Sequence, residues 1–102
     1  MAYYETVYTY TVPDPSIRLM LPPDEVCEYI SNNWAHIRLF SERNVSDDGL
    51  TYISRMVWSS QEDHEAFKAD PFLQDFWDQR KAYNTANGVT SVLVSREIET
   101  LD

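Results

Sequence analysis

Cysteine occurs once, at Cys27, so no intrachain disulfide can form and neither a Cys-rich zinc module nor a secreted disulfide scaffold fits. A reducing compartment is the expectation. Glycine is almost as scarce: with only Gly49 and Gly88 there is no loop to cradle phosphates, and no G-x-S-x-G nucleophile elbow occurs. Rossmann-type or P-loop nucleotide chemistry is therefore excluded. Cations are few, 8 Lys and Arg against 17 Asp and Glu, giving a formal charge of −9. Such a surface repels a nucleic-acid backbone or an anionic bilayer at long range. No run of about 18 uncharged apolar residues occurs, as a membrane-spanning helix would need. Nor does Met1-Ala2-Tyr3-Tyr4-Glu5-Thr6-Val7 carry a basic export region. A cytoplasmic protein without nucleic-acid or membrane partners is expected.

What the chain does have is apolar bulk. Hydrophobic residues make up 43% of it and aromatics 14%, enough for one domain spanning residues 1–102. Tyr3 to Val12 is rich in Thr, Val and Tyr, the composition of a strand, and Pro13-Asp14-Pro15 stops it. After an apolar connection, Pro22-Pro23-Asp24-Glu25 opens a helix to about Asn33, with Val26, Cys27, Ile30 and Trp34 on its inner side. From Ala35 the period is two, His36, Arg38 and Phe40 alternating with Ile37 and Leu39, and the strand continues to Val45. Ser46-Asp47-Asp48-Gly49 reads as a turn, and Leu50 to Trp58 as the return strand of a hairpin.

Ser59 with Glu62, or Ser60 with Asp63, forms a capping box that starts a helix after Trp58. Asp70-Pro71 supplies a second cap and an N1 proline, so the helical region splits, one piece ending near Lys68 and the other running to about Ala86. Phe72, Leu73, Phe76, Trp77, Arg80 and Tyr83 make its inner stripe. Asn87-Gly88 ends it, and Val89 to Glu99 returns to strand composition. The order β-α-β-β-α-β is that of the ferredoxin-like α+β unit, an antiparallel four-stranded sheet with both helices on one face. Because apolar residues fall on both sheet faces, the uncovered one is expected to pack on a second copy, giving a homodimer.

The stretch Arg55-Met56-Val57-Trp58-Ser59-Ser60-Gln61-Glu62-Asp63-His64-Glu65-Ala66-Phe67, followed by Asp70-Pro71-Phe72 and Arg80, resembles the strand-to-helix junction of the dimeric α+β barrel superfamily, in particular its antibiotic-biosynthesis-monooxygenase-like proteins. The resemblance lies in the C-terminal half and, elsewhere, in element order. It implies a small-molecule pocket between sheet and helices. It leaves the chemistry open, because the superfamily includes cofactor-free oxygenases, haem-degrading enzymes, muconolactone-type isomerases and members without known activity. The haem-degrading branch needs a ligand histidine on the last helix. The corresponding position falls at or near Trp77, and no histidine follows His64. No cofactor and no metal site is expected.

Candidate residues follow. His36 could remove a substrate proton near neutral pH, or be a surface or interface histidine. His64, among Gln61, Glu62, Asp63 and Glu65, reads as a solvated helix position. Trp58 and Trp77 could wall a flat aromatic ligand, with Tyr8, Tyr52 or Tyr83 offering a hydroxyl at its edge, or all could be core. Arg38, Arg55, Arg80 and Arg96 sit near apolar neighbours, so each, where partly buried, must find a carboxylate, a carbonyl or an anionic ligand. Cys27 reads as a small buried hydrophobe.

Two functions fit. One is a small-molecule-binding dimer for an aromatic or enolisable compound, whose catalytic form is a cofactor-independent monooxygenase or an isomerase. The oxygenase mechanism implied by the resemblance is deprotonation of a substrate whose own carbanion reduces O₂. His36 would then be the base, Arg38 or Arg55 the anion stabiliser, and Trp58 with Trp77 the walls. The other is a noncatalytic homodimeric interaction module. An open or a filled cavity separates the two.

Overall fold

The computed structural model describes residues 2–99; Met1 and residues 100–102 lie outside the described residues. The elements are β1 (Tyr3–Thr11), α1 (Asp24–Trp34), β2 (Arg38–Val45), β3 (Thr51–Trp58), α2 (Gln61–Lys68), α3 (Pro71–Ala86) and β4 (Thr90–Ile98). All strand pairs are antiparallel, in the order β2-β3-β1-β4, so the two chain-distant strands β1 and β3 form the centre. With the helices on one side, this is the ferredoxin-like α+β fold.

Alternation along the central strands decides which residues meet the helices. Thr6, Tyr8 and Tyr10 of β1, with Ser54, Met56 and Trp58 of β3, face the helical layer. Two apolar clusters hold that layer down. In the larger, Trp58 packs with Val26 and Ile30 of α1, Phe67 of α2, and Leu73 and Phe76 of α3. The indole N–H of Trp58 donates to Thr6 Oγ1 at 3.1 Å, so its burial leaves no polar atom stranded. The smaller cluster, Tyr10, Val12, Tyr52 and Val89, closes the other end with Ile17 and Leu19 of the connection before α1.

The helical break turns on one carboxylate. Asp70 caps α3, its Oδ1 accepting from the Phe72 backbone N–H at 2.9 Å, with Pro71 at the first helical position. Its other oxygen accepts from Tyr29 Oη at 2.7 Å and Trp34 Nε1 at 2.8 Å, both on α1. Burial works to raise the Asp70 pKa, yet these hydrogen bonds prevail and hold it below the usual carboxylate value. Ser60 is the cap of α2, its Oγ accepting from the Asp63 N–H.

On the far side of the sheet, Val92, Val94 and Ile53 are 64%, 60% and 43% exposed. In their midst Glu5 is buried beneath two arginines. Arg55 Nε donates to Oε2 at 2.6 Å and Arg96 Nε to Oε1 at 2.8 Å. Hydrogen bonds from Arg96 first and Arg55 second hold the Glu5 pKa below normal.

Several expectations need correction. The strand β2 starts at Arg38, not Ala35, and His36 lies in the turn after α1. An irregularity between Arg38 and Phe40 makes Leu39 an extra residue opposite β3, so Arg38, opposite Trp58, and Phe40 fall on opposite faces rather than together. Cys27 is exposed, since the inner face of α1 is narrowed to Val26 and Ile30. Phe72 stands outside the core and stacks on Tyr29, with ring centroids 4.0 Å apart.

Asp70→Ala removes the cap and the acceptor for α1 together. It should lower stability by about 2 kcal/mol, the upper end of an N-cap loss. Asp70→Asn, which can still cap, should recover part of it. Urea midpoints of the three proteins check this.

Candidate functional site

Between the sheet and the helices lies a cavity of about 540 Å³. That is within the range of small-molecule sites. Its floor is the inner face of β1 and β3, with Arg38, Ser41 and Arg43 from β2 along one side. His64, Phe67 and Lys68 of α2 and Phe76, Trp77 and Arg80 of α3 form the roof. The cap at Ser60 sets the phase of α2, placing His64 and Phe67 one turn apart on its inward face while the acidic residues of that helix point elsewhere.

Only part of the expected set meets here. Trp58, Trp77, Tyr8 and Arg38 line the cavity. Tyr83 does not: its hydroxyl donates to the Arg18 carbonyl at 2.5 Å, pinning the connection before α1. His36 is exposed in its turn and outside the lining, because the strand that was to carry it starts two residues later. Arg55 lies on the opposite face of the sheet, bound to Glu5 and 5.1 Å from the Phe40 ring centroid. The four arginines thus divide. Arg55 and Arg96 found a carboxylate, whereas Arg38 and Arg80 face the cavity.

His64 is the residue sequence reasoning missed, and its placement corrects the expectation of a solvated position. It is 6% exposed, with its ring centroid 4.6 Å from Trp58 and 5.4 Å from Tyr4. Burial, with a smaller contribution from the Lys68 charge, pushes its pKa down to about 4, so the imidazole is neutral at physiological pH. The available signal was the spacing of three between His64 and Phe67, which puts the two on one face of α2. Arg43 was missed too. Reading β2 backward from the hairpin, where Val45 pairs with Tyr52, places Val45, Arg43 and Ser41 on the inner face.

Among the described residues no group of three or more His, Cys, Asp or Glu is arranged to hold a metal ion, and no helix is long and apolar enough to cross a membrane. The cavity is instead aromatic, with Arg80 over both Trp77 and Phe76, 4.9 and 5.5 Å from their centroids. It offers stacking surfaces, hydroxyls and fixed positive charge.

No family model matches the chain, and no curated protein does. Among solved structures, the chain is similar to a dimeric ferredoxin-like protein from an uncultured marine organism, with a TM-score of 0.64 at 10% identity over 98% of both chains. At that identity the likeness is one of fold.

The His64 environment generates a pH dependence. Its folded pKa of about 4 lies below the ordinary 6.5, so the unfolded chain binds the extra proton between those values. Stability is complete on this account above pH 6.5 and falls as pH drops toward 4. A His64→Phe variant should show a shallower decline across that window in urea titrations; equal slopes would contradict the assignment.

Proposed function

We propose that the protein is a homodimeric small-molecule-binding protein of the dimeric α+β barrel type, taking a flat aromatic or enolisable compound between sheet and helices. The observation that carries this reading is the cavity itself. Aromatic side chains of this size ordinarily fill the space between a sheet and its helices. Here Trp58, Trp77, Phe67 and Phe76 instead surround about 540 Å³. An interaction module that uses only its outer surface has no need of such a hollow, which favours ligand binding over the noncatalytic alternative.

Dimerisation is supported by the apolar residues left on the open sheet face and by the dimeric state of the structural neighbour. A second copy packed there would cover Val92, Val94 and Ile53 while leaving the cavity on the other side of each sheet. The resemblance to antibiotic-biosynthesis-monooxygenase-like proteins supplies the catalytic form of the proposal, a cofactor-independent monooxygenase or an isomerase. In it Arg38 stabilises an enolate, Trp58 and Trp77 are the walls, and Tyr8 presents a hydroxyl. His64 is the imidazole within reach of that ligand. With a pKa near 4 it is suited to hydrogen bonding a bound molecule more than to taking its proton, whose transfer needs a base matched to neutral pH.

Thermal shift with a panel of flat bicyclic aromatic compounds tests the binding reading. A ligand at one hundred times its Kd stabilises by about 2.7 kcal/mol. For a domain of this size that is a rise of about 10 °C or more in midpoint, accompanied by quenching of tryptophan fluorescence. A panel with no shift and no quenching would return the protein to the class of interaction modules. In sedimentation equilibrium the native chain should be a dimer and Val94→Glu a monomer, since the substitution buries an unpaired carboxylate at the proposed contact.

A further inference from the structure

Charge is distributed unevenly in this molecule. The chain carries 8 Lys and Arg against 17 acids, yet Arg38, Arg43, Lys68 and Arg80 all line the one cavity. Half of the scarce cations therefore gather around a hollow that no Asp or Glu lines among the described residues. For charges scattered at random over this surface, acids should outnumber bases around any hollow by about two to one. None of the four forms an ion pair among the described residues, whereas the two arginines on the opposite face share Glu5.

Burial of an unpaired guanidinium is costly unless something anionic joins it. Arg38 is half-buried opposite Trp58, and desolvation already pulls its pKa below the usual value. Arg80 is held by stacking over Trp77 and Phe76, which fixes its plane without satisfying its N–H groups. Arg43, Arg80 and Tyr10 line the cavity together, and the same three residues border a second, much smaller hollow. The indole N–H of Trp77, on the same roof, is buried without an acceptor. Donors and positive charge are thus in surplus around the cavity, although Asn84 Oδ1, a buried acceptor without a partner, borders the smaller hollow beside the same two arginines.

We propose that the cavity is selective for an organic anion, a flat aromatic carboxylate whose ring lies against Trp58, Trp77 and Phe76 and whose carboxylate is held between Arg43 and Arg80. This deepens the binding reading above and rests on it. The guanidinium fork matches a carboxylate in two parallel hydrogen bonds, and the box supplies apolar surface for the remainder. The acidic exterior plays its part by contrast: the cavity is the place on this molecule where an anion is not repelled.

The test is calorimetric titration of the native dimer with 2-naphthoate and with 2-naphthalenemethanol, its neutral counterpart of similar shape. Naphthoate should bind at least about tenfold more tightly, the worth of one charge-assisted hydrogen bond, and should weaken as salt rises. Arg43→Gln, at an exposed position of an outer strand, should remove about tenfold from naphthoate affinity and leave the alcohol unchanged. Arg80→Met should do the same, and Arg43→Gln keeps the test intact if that variant fails to fold. Equal binding of the two probes, or an equal loss of both in Arg43→Gln, would overturn the anion selectivity while sparing the binding reading. Binding of neither probe at millimolar concentration would overturn both.

Discussion

The Asp70 carboxylate holds the architecture of the site together. A helix that ran unbroken from Gln61 to Ala86 would lie on the sheet along a single line. Asp70 and Pro71 break it, so that α2 and α3 meet the sheet as separate pieces. The same side chain accepts from two residues of α1, locking the first helix to the break between the others. Three helical segments are thereby fixed from one point near the edge of the core. The roof can arch over a hollow without collapsing into it, although Trp58, Phe67 and Phe76 are large enough to fill such a space.

A second constraint follows from the sheet. Its inner and outer faces carry different solutions to the same electrostatic problem. On the outer face, a buried glutamate is matched at once by two cross-strand arginines, Arg96 directly opposite and Arg55 on the diagonal. On the inner face, arginines remain without such a match and lie beside aromatic rings. The bulge at Leu39 makes this separation possible, because it turns Arg38 inward while Phe40 stays outward to stack on Arg55.

The fold was legible because its signals are local and repeated. Two hairpin strands with period two, two capped helices split at Asp-Pro, and first and last strands rich in tyrosine and in valine leave few arrangements that bury one face of a sheet. Trp58, Trp77 and Tyr8 were legible at the site for the same reason, since their periodicity points them inward. What was hidden depends on facts that no local pattern carries. The displacement of His36 comes from a turn after α1 that delays the start of β2, and the split between Arg38 and Phe40 from one extra residue in that strand, which reverses the alternation. His64 was masked by four polar or acidic neighbours, and only its spacing of three from Phe67 reveals its face. The carboxylate that Arg55 and Arg96 share lies fifty and ninety-one positions away from them in the chain. Composition could say that each needed an anion, but not which would find one inside the protein.

The Glu5 knot also bears on what the open sheet face can hold. A single chain shows its surroundings a patch of valines and isoleucine that any greasy surface could grip. A hydrogen-bonded cluster of one carboxylate and two guanidinium groups in the middle of that patch interrupts the grease and demands that whatever settles there accommodate a net positive charge in a fixed position. Indiscriminate adhesion is thereby penalised, and the face is spared the fate of an unguarded β-surface.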